Sequence, residues 1–276
     1  MERDLACHPI ELNGLPRRIS RRAHQQCDIV HEAFFFGAGE RRLFANYHPP
    51  VGAGRGDLVV VCPPLFAEYM RTHLALRELA ITLAERGQHV LRFDYRGTGD
   101  SAGDLSDVTT ADWVEDIMLA TQEGRDLTGA ERIRLVGVRA GGLLAHTAAR
   151  SVDFVSHLVL WDPVTSGALY LESLQRTHAD TVKRNRALDA ETRLAIADHY
   201  AGVALTTRLV AGLRAMSFAE GTAARIDIVH TSPIDDPIAG AEYHLERFDC
   251  KWEMDGEDLM MPQPVLERLA ICSSEP

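Results

Sequence analysis

The sequence of 276 residues lacks the features that mark membrane-spanning or nucleic-acid-binding proteins. It contains no apolar run long enough to cross a bilayer, so we expect no transmembrane span. The first residues are polar, and we expect no secretory signal. Lysine and arginine total 29 against 40 aspartate and glutamate residues, which gives a net charge of −11. Because nucleic-acid-binding surfaces are usually basic, a nucleic acid is not a predicted partner.

Cysteine is also sparse, with five widely spaced residues. An odd number of cysteines without a C-x-x-C pair disfavours a disulfide framework and a zinc site, and favours a reducing compartment. The sequence has no phosphate-binding loop of the G-x-x-x-x-G-K type, and the Gly97–Gly99 pair is too short for a dinucleotide fingerprint. We therefore predict a cytoplasmic protein with no cofactor and no metal. The cysteines are Cys7, Cys27, Cys62, Cys250 and Cys272.

Apolar and amphipathic segments alternate along the chain. Hydrophobic residues make up 46% of the sequence and charged residues 25%, which is typical of a globular protein. Segments of helical periodicity separate apolar runs that have the character of strands buried on both faces. We predict an α/β fold with a mostly parallel central sheet flanked by helices. The predicted strands are residues 57–62, 89–94, 133–138, 157–162 and 225–230.

Further segments complete the predicted core. Residues 31–47 form two apolar runs split by glycines, and we predict an antiparallel hairpin at the sheet edge. Near the end of the chain we predict a helical piece at 241–247, a strand near 251–254 and a terminal helix at 264–269.

The predicted domain organisation follows from where this alternation breaks. Residues 1–30 show no periodicity and are predicted to be a loosely ordered arm. The core comprises residues 31–164 and 223–276. Residues 165–222 carry no strand pattern and contain three helical stretches, so we predict a helical cap over the carboxyl ends of the strands, where ligands bind in this architecture.

The most informative motif is Gly137-Val138-Arg139-Ala140-Gly141. An apolar, strand-like run stops at Gly137, and a helical run follows directly. This is the pattern of a strand, a tight turn and a helix. Glycines at these positions predict a close approach of helix and strand. The pattern is that of the nucleophile elbow G-x-S-x-G, with Arg139 in the position of the serine.

Together with the elbow, several motifs resemble the α/β-hydrolase fold, in its serine aminopeptidase-like branch, and within it the exosortase A system-associated hydrolases of type 2. The resemblance covers the chain from about residue 31 to its end and implies that an arginine in the elbow is a family trait. It also implies a bacterial biosynthesis cluster linked to exopolysaccharide, without defining a reaction. The motifs are Glu32-Ala33-Phe34-Phe35, Tyr47-His48-Pro49-Pro50, Cys62-Pro63-Pro64-Leu65-Phe66-Ala67-Glu68, Gly99-Asp100-Ser101-Ala102-Gly103-Asp104 and Leu160-Trp161-Asp162-Pro163-Val164-Thr165-Ser166-Gly167.

Arg139 changes the chemistry that the elbow can perform. A guanidinium carries donors only and cannot attack a carbonyl, but it can bind a carboxylate or phosphate through a bidentate fork. One hypothesis is therefore anion binding by Arg139. The alternative is a buried structural ion pair, for which the sequence offers Asp162 or Asp236 as the partner.

The other groups of a hydrolytic triad are only partly present. By the resemblance, Asp236 follows the strand at 225–230 as the candidate acid, with Asp235 as its neighbour. The position of the base is empty, because no histidine follows His244, and Glu257 or Asp258 are the carboxylates there. Serine hydrolysis needs both a nucleophile and a histidine base, so a conventional serine hydrolase is not predicted.

The sequence offers one other nucleophile and a set of pocket residues. Cys62 ends a predicted strand, and a thiolate near Arg139 would have a lowered pKa. An inert buried cysteine is the alternative. Pro63 and Pro64 lack an N–H, so an oxyanion donor would have to come from Leu65 or Phe66. The predicted substrate-binding residues are Leu65, Phe66, Tyr69, Arg96, Ala140, Asp162 and Ser166.

Three functional hypotheses remain open. The first, slightly favoured, is an enzyme of the acyl or ester hydrolase class that acts on a small anionic, acyl-linked or glycan-linked substrate by chemistry outside the triad, with Arg139, Asp236 and Cys62 as candidate catalytic residues. The second is a pseudoenzyme that binds a small molecule as an accessory protein in a biosynthetic or exopolysaccharide pathway. The third and weakest is a homodimer whose cap is the interface.

Overall fold

A computed structural model of the chain describes residues 31–152, 154–218, 224–232, 237–252 and 258–275. The predicted N-terminal arm, residues 1–30, lies outside these ranges. Within them, eight strands form one sheet, flanked by helices on both faces. None of the helices in the described part of the chain is long and apolar enough to cross a membrane.

The sheet is mostly parallel, as predicted. Its strands lie in the order β1-β2-β4-β3-β5-β6-β7-β8. Strands β1 and β2 form the predicted antiparallel hairpin at one edge, and β2 is also antiparallel to β4, whereas the other neighbouring pairs are parallel. The strands are Glu32–Phe36 (β1), Leu43–His48 (β2), Asp57–Cys62 (β3), His89–Phe93 (β4), Arg132–Val138 (β5), Val155–Trp161 (β6), Arg225–His230 (β7) and Glu242–Leu245 (β8).

The second helix shows how capping residues define its two ends. Thr109 and Asp112 form a reciprocal capping box at the start of the second helix, and Gly129 ends it with a φ of +67°. The α-helices in the described ranges are Phe66–Glu85 (α1), Thr110–Thr128 (α2), Ala140–Ala149 (α3), Gly167–Arg184 (α4), Ala190–Ala195 (α5), Thr207–Ala215 (α6) and Gln263–Cys272 (α7).

The sheet separates two layers of the core, and both faces of β3 are covered, which explains why its sequence is apolar from Leu58 to Cys62. Leu58 and Val60 face a cluster that contains residues of α2, α3 and α4, whereas Val59 and Val61 face a second cluster built from α1 and α7. Because successive side chains point to opposite faces of a sheet, a strand covered on both sides has no polar alternation. The apolar runs therefore predicted these strands correctly.

The predicted cap segment, residues 165–222, contains α4, α5 and α6. Helices α4 and α6 pack on each other, and buried side chains from both, including Leu171 and Leu213, join the core cluster on the α3 face. A Cβ at Gly167, the first residue of α4, would overlap the carbonyl of Leu213. This contact requires glycine where the cap begins.

The predictions for the last part of the sheet were wrong in detail. Residues 242–245, within the predicted helical piece 241–247, are instead the edge strand β8, paired in parallel with β7. Lys251 and Trp252, from the predicted strand at 251–254, are not in a strand, and Lys251 has a φ of +47° that a strand does not allow. Residues 253 and 254 lie outside the described ranges. A four-residue edge strand is too short for periodicity to distinguish it from a helix.

Candidate active site

The elbow has the sharp geometry that its glycines predicted. Arg139 joins β5 to α3 with a φ of +52° and a ψ of −123°, a conformation that L-residues rarely adopt. A Cβ at Gly141 would lie 2.5 Å from the Cys62 carbonyl oxygen and closer still to that of Pro63. A Cβ at Gly137 would lie 2.5 Å from Gly142 Cα. Backbone strain of this kind is typically kept at functional positions.

The guanidinium of Arg139 is held from three sides. Its Nε donates to Glu68 Oε1 at 3.0 Å, its Nη1 donates to the backbone oxygen of Asp162 at 3.2 Å, and it lies 5.0 Å from the ring centre of Trp252. Burial opposes its charge, but the ion pair and hydrogen bond with Glu68, together with Tyr170 and Asp162, outweigh burial and raise the pKa of Arg139. Among the described residues, no acceptor is hydrogen-bonded to Nη2. The side chain of Arg139 retains 17% of its exposure.

Glu68 is the ion-pair partner, and the sequence did not identify it. It lies in the first turn of α1, where the helix dipole favours an acidic residue, and it is buried. Its Oε2 accepts a hydrogen bond from Tyr170 of α4 at 3.1 Å, so the cap segment contacts the pair. Burial raises the pKa of the Glu68 carboxyl, and the Arg139 guanidinium opposes that rise.

Asp162 is occupied by other partners, so the expectation that its carboxylate pairs with Arg139 was wrong. Its Oδ1 accepts from the backbone N–H of Thr231 at 2.7 Å, and its Oδ2 accepts from the Thr231 hydroxyl and from Trp252 Nε1 at 2.6 and 2.7 Å. These bonds join the ends of β6 and β7 to the segment that follows β8. They also hold Trp252 against Arg139.

An open cleft of about 670 Å³ lies in front of Arg139, past the ends of β5, β7 and β8. Three of its described lining residues are cations, Arg139, Arg247 and Lys251, and one is a carboxylate, Asp249. Phe248 and Trp252 supply aromatic surface; the other lining residues are Thr231, Ser232 and Cys250. None of the described lining residues is a histidine. Of the predicted site residues, Arg139 lines this cleft.

The remaining predicted binding residues lie elsewhere. Leu65 and Ala140 are buried in the core cluster, and Phe66 packs with its ring edge against Trp113. Tyr69 donates to Asp94 at 2.8 Å, next to the glycine-rich loop after β4, and burial raises its pKa. Ser166 caps the first turn of α4. Their assignment to a ligand stays a prediction.

Arg96, another predicted binding residue, has a structural set of partners. Its side chain contacts Asp112, Glu115 and Asp116 of α2, with the shortest bond, 2.7 Å, to the fully buried Asp116. These bonds tie the loop after β4 to α2. Ser101 of the same loop donates to the backbone oxygen of Asp94 at 2.6 Å and accepts from Phe44 N at 2.9 Å, so its hydroxyl also holds the loop.

Cys62 lies where predicted, at the end of β3, but its thiol is not activated. It has no exposed surface, and burial raises the pKa of the Cys62 thiol, contrary to the predicted lowering. Cys250 lines the cleft and has 3% exposure, and burial raises its pKa to about 12. The three cysteines of the described ranges, including Cys272, are free thiols.

We therefore expect iodoacetamide to leave Cys62 unmodified in the folded protein, because alkylation requires an accessible thiolate. The measurement is peptide mass spectrometry after timed labelling. The same protein unfolded in urea is the control, and there Cys62 should react as fast as the other cysteines. Faster labelling of Cys62 than of Cys250 and Cys272 in the folded protein would contradict the burial.

The predicted acid and one of the two carboxylates at the position of the base lie outside the described ranges. Asp235 and Asp236, which follow β7, and Glu257 lie outside the described ranges. Asp258 is exposed, and its backbone oxygen accepts from Arg71 at 3.5 Å. The acid role of Asp236 thus stays a prediction. The sequence analysis missed Thr231, Arg247, Lys251 and Trp252, because their convergence depends on loops whose course periodicity does not reveal.

Comparison with known proteins supports the architecture. A sequence model of the family described as alpha/beta hydrolase fold matches residues 57–215, which includes the elbow. No curated protein matches the chain.

Solved structures from distant organisms share the same fold. A protein from Agrobacterium vitis S4 aligns over 88% of this chain and 97% of its own, with 19% identity and a TM-score of 0.54. The alpha/beta hydrolase domain-containing protein 10 from mouse aligns over 87% and 96%, with 16% identity and a TM-score of 0.54. An esterase from Pyrococcus furiosus aligns over 80% and 77%, with 14% identity and a TM-score of 0.51. At these identities the likeness concerns the fold.

Proposed function

Because this chain belongs to the alpha/beta hydrolase fold family but carries Arg139 where the elbow motif has a serine, we propose that it binds a small anionic ligand at the elbow. Arg139 is the anchor of that ligand and not a nucleophile. The cleft in front of it is the binding site. The protein is then a hydrolase-fold binding protein whose ligand is held by charge, and any turnover proceeds without a serine nucleophile.

One observation carries this proposal, namely the charge of the cleft. Three cations and one carboxylate line it in a protein whose net charge is −11. A concave site with an excess of one charge concentrates ligands of the opposite sign. Glu68 pairs with Arg139, but Arg247 and Lys251 outnumber Asp249 among the described lining residues, and this excess of positive charge favours an anion in the cleft.

The orientation of Arg139 supports the same conclusion. Glu68 and the Asp162 carbonyl hold Nε and Nη1, so the guanidinium is fixed while Nη2 remains available. The turn itself is tight, because Gly142 N donates to the backbone oxygen of Arg139 at 3.0 Å, directly before α3. A guanidinium held in this way favours a carboxylate or a phosphate as its ligand.

The aromatic lining defines the rest of the ligand class. Phe248 and Trp252 give the cleft apolar surface beside its cations, and a volume of about 670 Å³ accommodates more than an inorganic ion. The proposed ligand is a carboxylate or phosphate that carries an apolar group. An acyl-linked or glycan-linked anion fits this class. The resemblance of the sequence motifs to exosortase A system-associated hydrolases agrees with a ligand of this kind.

The proposal can be tested by calorimetric titration of the full chain with phenyl phosphate, with benzyl alcohol as the uncharged control. We expect phenyl phosphate to bind and benzyl alcohol not to bind. The affinity for phenyl phosphate should fall as the salt concentration rises, because salt screens exposed charges. Arg139→Lys keeps a positive charge next to Glu68 but loses the fork. We expect it to weaken binding by about tenfold or more, the cost of one charged hydrogen bond of about 1.5 kcal/mol.

The chain offers a matched control, because its two lysines are Lys183 and Lys251. Lys251→Ala, alone or combined with Arg247→Ala, should weaken binding of phenyl phosphate, whereas Lys183→Ala on α4 should leave it unchanged. Equal binding of benzyl alcohol, or unchanged affinity in Arg139→Lys and Lys251→Ala, would contradict the proposal. Hydrolysis of p-nitrophenyl esters that a single point variant abolishes would show instead that the cleft is catalytic.

A further inference from the structure

A second cluster of reactive side chains lies away from the cleft, in the first half of β7. Asp227 points to the α7 face of the sheet, between His157 of β6 and His244 of β8, and Cys272 is the last residue of α7. The sequence spacing gave no sign of this cluster, since 45 residues separate Asp227 from Cys272. The parallel strands and the terminal helix bring them together.

The cluster is compact. Asp227 is wholly buried, and its Oδ1 accepts from His244 Nε2 at 2.7 Å, while its Oδ2 accepts from His157 Nε2 at 2.5 Å. One oxygen of Asp227, one ring nitrogen of His244 and the sulfur of Cys272 lie within 4.8 Å of one another. Atoms of these three types commonly bind metals, and at this spacing they are close enough to bind one ion after a small rearrangement.

The donor set selects the class of cation. A carboxylate, an imidazole and a thiolate suit a borderline ion such as Zn²⁺, whereas Ca²⁺ and Mg²⁺ prefer oxygen ligands throughout. His157 does not belong to the group of three, but its bond to Asp227 is the kind of outer contact that orients a metal-binding carboxylate. His157 is therefore a positioning residue.

Charge and access also permit a cation. Arg225 donates to Asp227 at 2.9 Å, but it also contacts Glu242 and Glu275 at 3.3 and 2.8 Å, so it keeps two carboxylates if it releases the first. The His244 side chain is 17% exposed, on the last strand in the order of the sheet, whereas Asp227 and Cys272 are buried. His244 is therefore the ligand that solvent reaches.

We propose that Asp227, His244 and Cys272 bind one Zn²⁺-type divalent cation, with a fourth position left for water. The Asp227 carboxylate binds in its ionised form, and His244 binds through a ring nitrogen that carries no proton. Where that nitrogen is Nε2, the proton that it donates to Asp227 moves to Nδ1 of the same ring. Binding breaks the S–H bond of Cys272 and forms a sulfur–metal bond, and the thiol proton passes to solvent. No electrons are transferred.

The test uses the full chain, freed of metal by a chelator and then titrated with Co²⁺, whose thiolate complexes absorb strongly in the near ultraviolet. We expect one equivalent of Co²⁺ to produce the thiolate band and Zn²⁺ to displace it. Affinity for Zn²⁺, measured by competition with a chromophoric chelator, should fall more than about 100-fold in His244→Ala and in Cys272→Ala. His157→Gln should lower it by about 10-fold to 100-fold, the usual effect of an outer-shell change.

Matched controls exist for both ligand types. His73→Ala on the surface of α1 and Cys62→Ala at the end of β3 should bind Co²⁺ as the unchanged chain does. The wild-type titration needs no variant, so the proposal remains testable if a variant fails to fold. Absence of the thiolate band, or a band that survives in Cys272→Ala because Cys7 or Cys27 holds the metal, would overturn it and leave the cluster a hydrogen-bonded network.

Discussion

Replacing Glu68 by alanine is expected to lower the free energy of unfolding by about 3–5 kcal/mol, the usual cost of breaking a buried ion pair by removing one partner. The side chains of Glu68 and Arg139 retain 6% and 17% of their exposure, so the cation left behind cannot be hydrated fully. The variant also leaves the hydroxyl of buried Tyr170 without its acceptor. Urea unfolding followed by circular dichroism measures the loss.

The control for this prediction lies on the same helix. Glu85, the last residue of α1, is exposed, and Glu85→Ala should change stability by less than about 0.5 kcal/mol. The double variant Glu68→Ala, Arg139→Ala should be less destabilised than the sum of the two single variants, because neither charge is then left unpaired. A loss below about 1 kcal/mol in Glu68→Ala would mean that Arg139 reaches solvent through the cleft and that the pair is not structural.

The ion pair and the proposed anion site describe one residue in two roles. The sequence analysis treated a structural pair and anion binding by Arg139 as alternatives. In the structure, Glu68 holds Nε of Arg139 while the same arginine lines the cleft, and no described residue accepts a hydrogen bond from Nη2. A fixed guanidinium is a better anion anchor than a mobile one, because less side-chain entropy is lost when the ligand binds.

The fold was predictable because its signals are local. Runs such as 57–62 are apolar on both faces, and each glycine or proline that bounds them marks a turn. The elbow was predictable for the same reason, since Gly137 and Gly141 are needed by the approach of α3 to β3 and β5. Backbone requirements of this kind are written in a few neighbouring residues.

The site was harder to predict because its contacts are distant in sequence. Glu68 and Arg139 are 71 residues apart, and Trp252 and Asp162 are 90 apart. A single sequence shows that Arg139 needs a counter-charge, but 40 acidic residues could supply it. The edge strand β8 was mispredicted for a related reason, since its His244 donates to Asp227 of β7, 17 residues away.

Gly141→Ala is expected to destabilise the protein by about 3 kcal/mol or more, at the upper end of the cost of overpacking. The new Cβ would meet the carbonyl oxygens of Cys62 and Pro63, which are backbone atoms at the end of β3 and cannot turn aside as a side chain can.

Gly142→Ala is the matched control in the same turn. Its Cβ would meet Pro163 Cβ at 3.2 Å, and alanine gains about 1 kcal/mol of helix propensity over glycine, so little net change is expected. Urea unfolding of both variants gives the comparison, and equal stability would show that α3 does not pack against β3 as described. The elbow therefore preserves the close backbone approach that presents a side chain to the cleft, even though the side chain presented is an arginine.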